Sequence, residues 1–214
     1  MVKLVIFDWD GTLFDSIDKI CFSMLQAAQL AKAPAREKDD IKNIIGLSLD
    51  KAVAVVWPEL SITEQGIIIE HYKGIYVAED QTPAEAYPGV IDVLNQLQDA
   101  GVKLAVATGK SRKGLERAMT LTNTKNHFIT TRCADEALSK PHPLMLEQIL
   151  TELDISPEHA IMIGDTEYDL NMATNAGMKS IGVTYGAHHE IRLKACLPHA
   201  LVNDFNQLTT ILGL

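Results

Sequence analysis

From about residue 84 to the end of the chain, strand-like and helix-like segments alternate. This alternation constrains the fold more than any other feature of the 214 residues. Strands are expected at 102–107, 127–131, 160–163, 180–183 and 200–202. Helices are expected at 90–99, 113–121, 144–153 and 168–175, with another at the C-terminus. Strands that recur with a helix between them pair in parallel, and helices cover both faces of such a sheet. The expected strands are short apolar runs, as burial on both sides requires.

One strand stands apart. Lys3-Leu4-Val5-Ile6-Phe7 is a β-branched and aromatic run, yet only helical pattern follows it. Segments 17–30, 37–45, 49–56 and 63–77 all read as helix, with Asp15 or Ser16 available to cap the first. Pro34, Gly46 and Pro58 punctuate them. Thr82-Pro83 and Tyr87-Pro88-Gly89 mark the return to alternation. The expected fold class is therefore α/β. Residues 1–14 and 84–214 form a Rossmann-like parallel-sheet core, and residues 15–83 form an inserted all-helical domain.

Hydrophobic residues make up 47% of the chain, enough to bury a core without disulfides or a structural metal. The 19 basic residues against 28 acidic ones give a net charge of −9. Such a balance disfavours nucleic acid and anionic membranes as partners, although a local site can still be positive for a small anion. Cys21, Cys133 and Cys196 are far apart and include no CxxC pair, so reduced thiols in a cytoplasmic protein are expected. The N-terminal apolar run is too short for a secretion signal, and no segment approaches the length of a membrane span.

Ligands of open α/β sheets bind beyond the carboxyl ends of the strands. The first strand ends in Asp8-Trp9-Asp10-Gly11-Thr12. Residues two apart in an extended segment point to the same side, so two carboxylates can divide nucleophilic attack from proton transfer. The next ends in Thr108-Gly109-Lys110, where a hydroxyl and backbone N–H groups suit a phosphate oxygen. Lys140, before Pro141, can neutralise a phosphoryl group. The strand at 160–163 leads into Gly164-Asp165-Thr166-Glu167-Tyr168-Asp169. A helical turn brings Asp165 and Asp169 to one side, and carboxylates there suit Mg²⁺. Each signal alone also fits helix capping or a solvated surface. Their shared position at four strand ends does not.

Together these residues resemble the haloacid dehalogenase-like superfamily of phosphatases, over the whole chain. Asp8 through Ser16 looks like its first motif, Thr108 its second, Lys140-Pro141 its third, and Gly164 through Asp169 its fourth. The helical insert resembles the cap of the phosphoglycolate phosphatase-like branch. The resemblance implies Asp8 as nucleophile and Asp10 as general acid/base. It implies Mg²⁺ held by the Asp8 carboxylate, the Asp10 carbonyl and Asp165. Thr108 and Lys140, with Gly109, would bind the phosphoryl group. Asp169 would either reach the metal through water or support Lys140.

Other residues have plainer expectations. His71, His127, His142, His159, His188, His189 and His199 form no HExxH pattern, and His188-His189 reads as a solvated turn. Trp57 and Tyr72 are expected inside the insert. Lys110, Arg112 and Lys113, a small basic cluster near the second motif, are expected at a solvated helix start, with substrate contact as the lesser alternative. Ser48, Asp50 and Lys51, after Gly46, are a thin polar set in the region where this family places specificity residues. That composition fits a small phosphorylated metabolite better than a hexose gripped twice. A phosphomutase or a pyrophosphatase is the alternative to a phosphomonoesterase, acting as monomer or homodimer.

Overall fold

The computed structural model describes residues 2–78 and 84–213. Among them, six strands build one sheet: β1 (Leu4–Phe7), β2 (Lys103–Ala107), β3 (Thr130–Arg132), β4 (Ala160–Gly164), β5 (Lys179–Val183) and β6 (Ala200–Val202). Their order is β3-β2-β1-β4-β5-β6, and every neighbouring pair is parallel. β1 lies in the middle and is covered on both faces, which is why it reads as unbroken apolar sequence. Val5 and Phe7 pack with Val93, Leu97 and Leu115 on one side. Leu4 and Ile6 pack with Met145, Ile149 and Met172 on the other.

Four helices follow β1: α1 (Ile17–Leu30), α2 (Lys38–Lys42), α3 (Leu49–Val56) and α4 (Ile62–Ala78). They build an apolar cluster in which Ile20 and Met24 of α1 meet Ile41, Val53, Trp57 and Ile68, and to which Ala187 is added from the later part of the chain. Trp57 is fully buried, and its indole N–H donates to the Pro34 carbonyl at 2.8 Å. Tyr72 packs against the same cluster, so both aromatics sit inside the insert as expected. The outgoing and returning chains pair beside the sheet. Asp15 N–H donates to the Glu85 carbonyl at 2.9 Å, and Tyr87 N–H to the Leu13 carbonyl at 3.0 Å. Thr82-Pro83, expected to begin the return, lies outside the described residues.

The remaining helices flank the sheet: α5 (Val90–Asp99), α6 (Arg112–Leu121), α7 (Leu144–Leu153), α8 (Glu167–Asn175), α9 (Glu190–Ala195) and α10 (Gln207–Leu212). Two expectations need correction. The strand expected at 127–131 begins only at Thr130, because Lys125–His127 winds into a 3₁₀ turn. Its closing bond runs from His127 N–H to the Thr124 carbonyl at 3.0 Å. Helix α9 was not expected at all, since its six residues are too few to show an apolar period. The three cysteines are free. No helix among the described residues is long and apolar enough to cross a membrane.

Candidate active site

Three adjacent strands end side by side, and each is followed at once by a buried polar residue. Asp8 follows β1, Thr108 follows β2 and Asp165 follows β4. The sheet order thus assembles residues far apart in sequence at one carboxyl edge. Lys140, on the chain between β3 and α7, is fully buried and enters from the side. Its ammonium lies 2.8 Å from Asp8 Oδ1 and donates to Asp169 Oδ1 at 2.6 Å.

The Lys140–Asp8 contact has the distance of an ion pair without hydrogen-bond alignment. Both Asp8 oxygens are buried and accept no hydrogen bond from the described residues. Asp8, Asp165 and Asp169 each offer an oxygen within 4.8 Å of the others. Burial pushes the Asp8 carboxyl well above the usual carboxylate range; the charges of Asp169 and Asp165 add to this, and Lys140 opposes it. Burial, then the charge of Asp169, pushes Asp165 up to about 7. Three buried carboxylates share one ammonium, an arrangement short of positive charge. A divalent cation bound by hard oxygen donors fits that deficit and the orphaned Asp8 oxygens.

The supporting contacts separate the carboxylates. Asp165 accepts from the Thr12 hydroxyl at 2.8 Å and from Ala187 N–H at 2.7 Å. Asp169 accepts from Lys140 on one oxygen and from the Thr166 backbone and hydroxyl on the other. It therefore makes the contacts of a lysine support. Gly11 has φ +77°, and a Cβ there would fall 2.3 Å from Asp165 Oδ2, so only glycine lets the first loop approach this carboxylate.

One oxygen of Asp10 takes both a hydrogen bond and an ion pair. The Ser16 hydroxyl donates to Oδ1, and the Lys110 ammonium lies 2.9 Å from the same atom. Ser16 precedes α1 but makes no side-chain capping bond, because its hydroxyl is turned to Asp10. Lys110 corrects an expectation. Its side chain is 10% exposed rather than solvated, and its ammonium also donates to the Tyr76 hydroxyl of α4 at 3.0 Å. Burial disfavours the Lys110 charge, but Asp10, then Tyr76 and Tyr72, more than offset it and raise its pKa. Arg112 and Lys113 behave as expected of a helix start: Arg112 pairs with Glu136, and Lys113 is exposed.

The insert is closed over this edge. A Cβ on Gly109 would lie 2.7 Å from the carbonyl oxygens of both Gly46 and Leu47, so the loop before α3 rests directly on the backbone after Thr108. Ser48 N–H donates to Ser139 Oγ at 2.9 Å. The Asn43 carbonyl accepts from Tyr168 Oη and His188 Nε2, each at 3.0 Å. His188 is thus buried between insert and core, not in a solvated turn; His189 beside it is exposed. Glu167 N–H donates to His188 Nδ1 at 3.1 Å, which leaves the proton on Nε2 for the Asn43 carbonyl. Lys51 is exposed.

Sequence reasoning did not bring Tyr76 or His188 to this edge, and it set Lys110 at a solvated helix start with substrate contact only as the lesser alternative. Thr12 and Ser16 stood inside the first motif without an assigned task.

The haloacid dehalogenase-like hydrolase family model matches residues 5–183. A probable phosphatase, IndB, of Dickeya dadantii is 33% identical over 97% of this chain and 92% of its own. A phosphoglycolate phosphatase of Vibrio vulnificus is 27% identical over 98% of this chain and 96% of its own. The crystal structure of a predicted phosphatase from Clostridium acetobutylicum superposes with a TM-score of 0.89 at 27% identity, covering 100% of both chains. The chain belongs to the haloacid dehalogenase-like hydrolase family. With its relatives it is a phosphatase of that family.

Proposed function

We propose that this phosphatase cleaves a small phosphate monoester, of the phosphoglycolate type, through an aspartyl phosphate on Asp8. The observation that carries the reading is the Asp8 carboxylate: buried, with no hydrogen bond on Oδ2 from the described residues and Oδ1 2.8 Å from a fully buried lysine. An oxygen left without hydrogen bonds keeps its lone pairs for attack or for a metal.

Thr108, the Gly109 backbone and Lys140 hold the phosphoryl group, and Lys140 is itself fixed by Asp169. An Asp8 oxygen attacks phosphorus, and the bond from phosphorus to the ester oxygen breaks. Asp10 gives its proton to the departing oxygen. Water then attacks the same phosphorus while Asp10 takes a proton from it, and the bond to Asp8 breaks to release phosphate. Mg²⁺ held by Asp8, the Asp10 carbonyl and Asp165, with Asp169 behind Lys140 or reaching it through water, would supply positive charge for the phosphoryl oxygens.

Residues 15–83 act as a cap hinged near 14–16 and 84–89 on the core formed by 1–14 and 84–214. Its contacts at Gly109 and Asn43 support a closed state that keeps bulk water out during transfer. The acidic surface and a small-metabolite substrate fit a cytoplasmic enzyme that engages neither nucleic acid nor membrane.

The test is a screen of small phosphate esters with Mg²⁺, scored by phosphate release, run beside Asp8→Asn. Hydrolysis by the wild type that Asp8→Asn lacks is expected. Full activity after exhaustive chelation would remove the metal from the scheme. Hexose 6-phosphate accumulating from hexose 1-phosphate faster than free phosphate would make the enzyme a mutase.

A further inference from the structure

Lys110 is a mostly buried cation to which the Asp8 chemistry gives no task. Its side chain is nine-tenths buried, and its ammonium has three N–H donors. One faces Asp10 Oδ1 at 2.9 Å and one reaches the Tyr76 hydroxyl at 3.0 Å. No third acceptor is found among the described residues. A second cation stands behind this pair: the Lys19 ammonium of α1 lies over the Tyr76 ring, 4.7 Å from its centroid. Two lysines from different elements therefore converge on one tyrosine at the joint between insert and core.

The location of this cluster follows from the chemistry. Attack by Asp8 is in line, so the departing oxygen leaves on the side opposite Asp8, where its proton donor must stand. Asp10 is that donor, and Lys110 is the group beside Asp10. Lys110 also belongs to the phosphoryl-binding loop, since its backbone N–H donates to Thr108 Oγ1 at 3.2 Å. Whatever the departing oxygen is attached to must pass Lys110, with Tyr76 and Lys19 as the wall beyond. A buried ammonium with an unclaimed donor favours an anion there over a neutral group.

We infer that Lys110, backed by Tyr76 and Lys19, binds an anionic group on the leaving portion of the substrate, a carboxylate or a second phosphate a few bonds from the reacting phosphorus. The inference rests on the phosphatase reading and narrows it. On binding, the anion takes the open donor of Lys110 and draws the ammonium from Asp10, whose oxygen is then left to the departing group. Neutral esters of the same size lack that exchange.

The experiment compares substrates with similar alkoxide leaving groups under Mg²⁺: 2-phosphoglycolate and ethylene glycol bisphosphate, each against 2-hydroxyethyl phosphate. The wild type is expected to prefer at least one charged member by roughly ten- to hundredfold in kcat/KM, the range of a charge-assisted hydrogen bond. Lys110→Met is expected to lower that preference ratio about tenfold or more, mostly through KM, whatever loss both substrates share. Lys110→Arg should keep most of it. Lys19→Met, at a half-buried position, should lower the ratio several-fold and carries the test if Lys110→Met does not fold.

Equal kcat/KM for charged and neutral partners in the wild type would overturn the inference. So would an equal loss on both in Lys110→Met, which would leave Lys110 as a support for Asp10 alone. Those results would leave the phosphatase reading standing. Absence of any Asp8-dependent hydrolysis would remove both.

Discussion

Changing Asp165 to asparagine should make the metal-free protein more stable at alkaline pH while weakening its response to Mg²⁺. Asp165 is fully buried, and its pKa rises from 3.8 to about 7 through burial and the charge of Asp169. The folded-state pKa lies above the unfolded one, so the unfolded chain loses this proton first as pH rises. Stability is therefore highest on the acid side and falls as pH climbs towards 7. At about 1.4 kcal/mol per unit, the fall between about pH 5 and about pH 7 is roughly 3 kcal/mol, and the full penalty is on the order of 4 kcal/mol. Asp8, displaced in the same direction, adds to the slope.

Asparagine at 165 removes the charge and can still accept from the Thr12 hydroxyl. It cannot also accept from Ala187 N–H, now bound by Asp165 Oδ2, and an unsatisfied buried donor costs about 1–3 kcal/mol. The balance leaves Asp165→Asn about 1–3 kcal/mol more stable than wild type at about pH 8 without metal, with a shallower pH dependence. Urea unfolding in chelator at about pH 5 and about pH 8 measures both quantities. Repeating it with Mg²⁺ should restore the wild type at the higher pH and do far less for the variant. Wild-type stability that stays level or rises across that range in chelator would refute the reasoning, as would a variant with the wild-type slope.

Three further outcomes are expected. Asp10→Asn should slow esters with poor leaving groups by about a hundredfold or more and spare good leaving groups, because it removes the proton donor but not the nucleophile; equal losses would contradict that role. Gly109→Ala would set a Cβ 2.7 Å from the Gly46 and Leu47 carbonyl oxygens and force them away, so kcat/KM should drop about a hundredfold. A phosphate analogue is expected to compact the wild type in solution scattering and to leave Gly109→Ala unchanged. Trp57→Ala empties the centre of the insert and should lower stability by about 3–5 kcal/mol in urea unfolding, leaving the sheet contacts of Asp8 and Asp165 in place.

The sheet and its chemistry were legible because their signals are local. Each central strand is a short apolar run, and the residue that follows it is a buried polar one, as the strand-end reading expects: Asp8, Thr108 and Asp165. Lys140 was legible only through the motif it completes, since nothing beside it in the chain distinguishes a buried lysine from a solvated one. Its fully buried state follows from Asp169, which lies 29 positions on and meets it only after the sheet forms. The shift of β3 was hidden because turn propensity at Thr124 competed with an apolar run that fits a strand as well as it fits what precedes one.

What the sequence did not reveal shares one physical cause, contact across the joint between insert and core. Tyr76 lies 34 positions from Lys110, and Asn43 lies 145 positions from His188. Residues 110–113 look alike as a polar helix start, and for Arg112 and Lys113 that reading is correct. Helical phase and polarity say which way a side chain leaves the backbone; they do not say whether another segment waits there. For Lys110 the waiting segment is α4, so an ammonium that would otherwise be hydrated is set against Asp10 and Tyr76. Burial of a charge demands partners, and an insert supplies them from a stretch of chain with no sequence relation to the loop it covers. Contacts made across that joint are for this reason harder to read from the sequence than the carboxylates at the strand ends, which local pattern alone places.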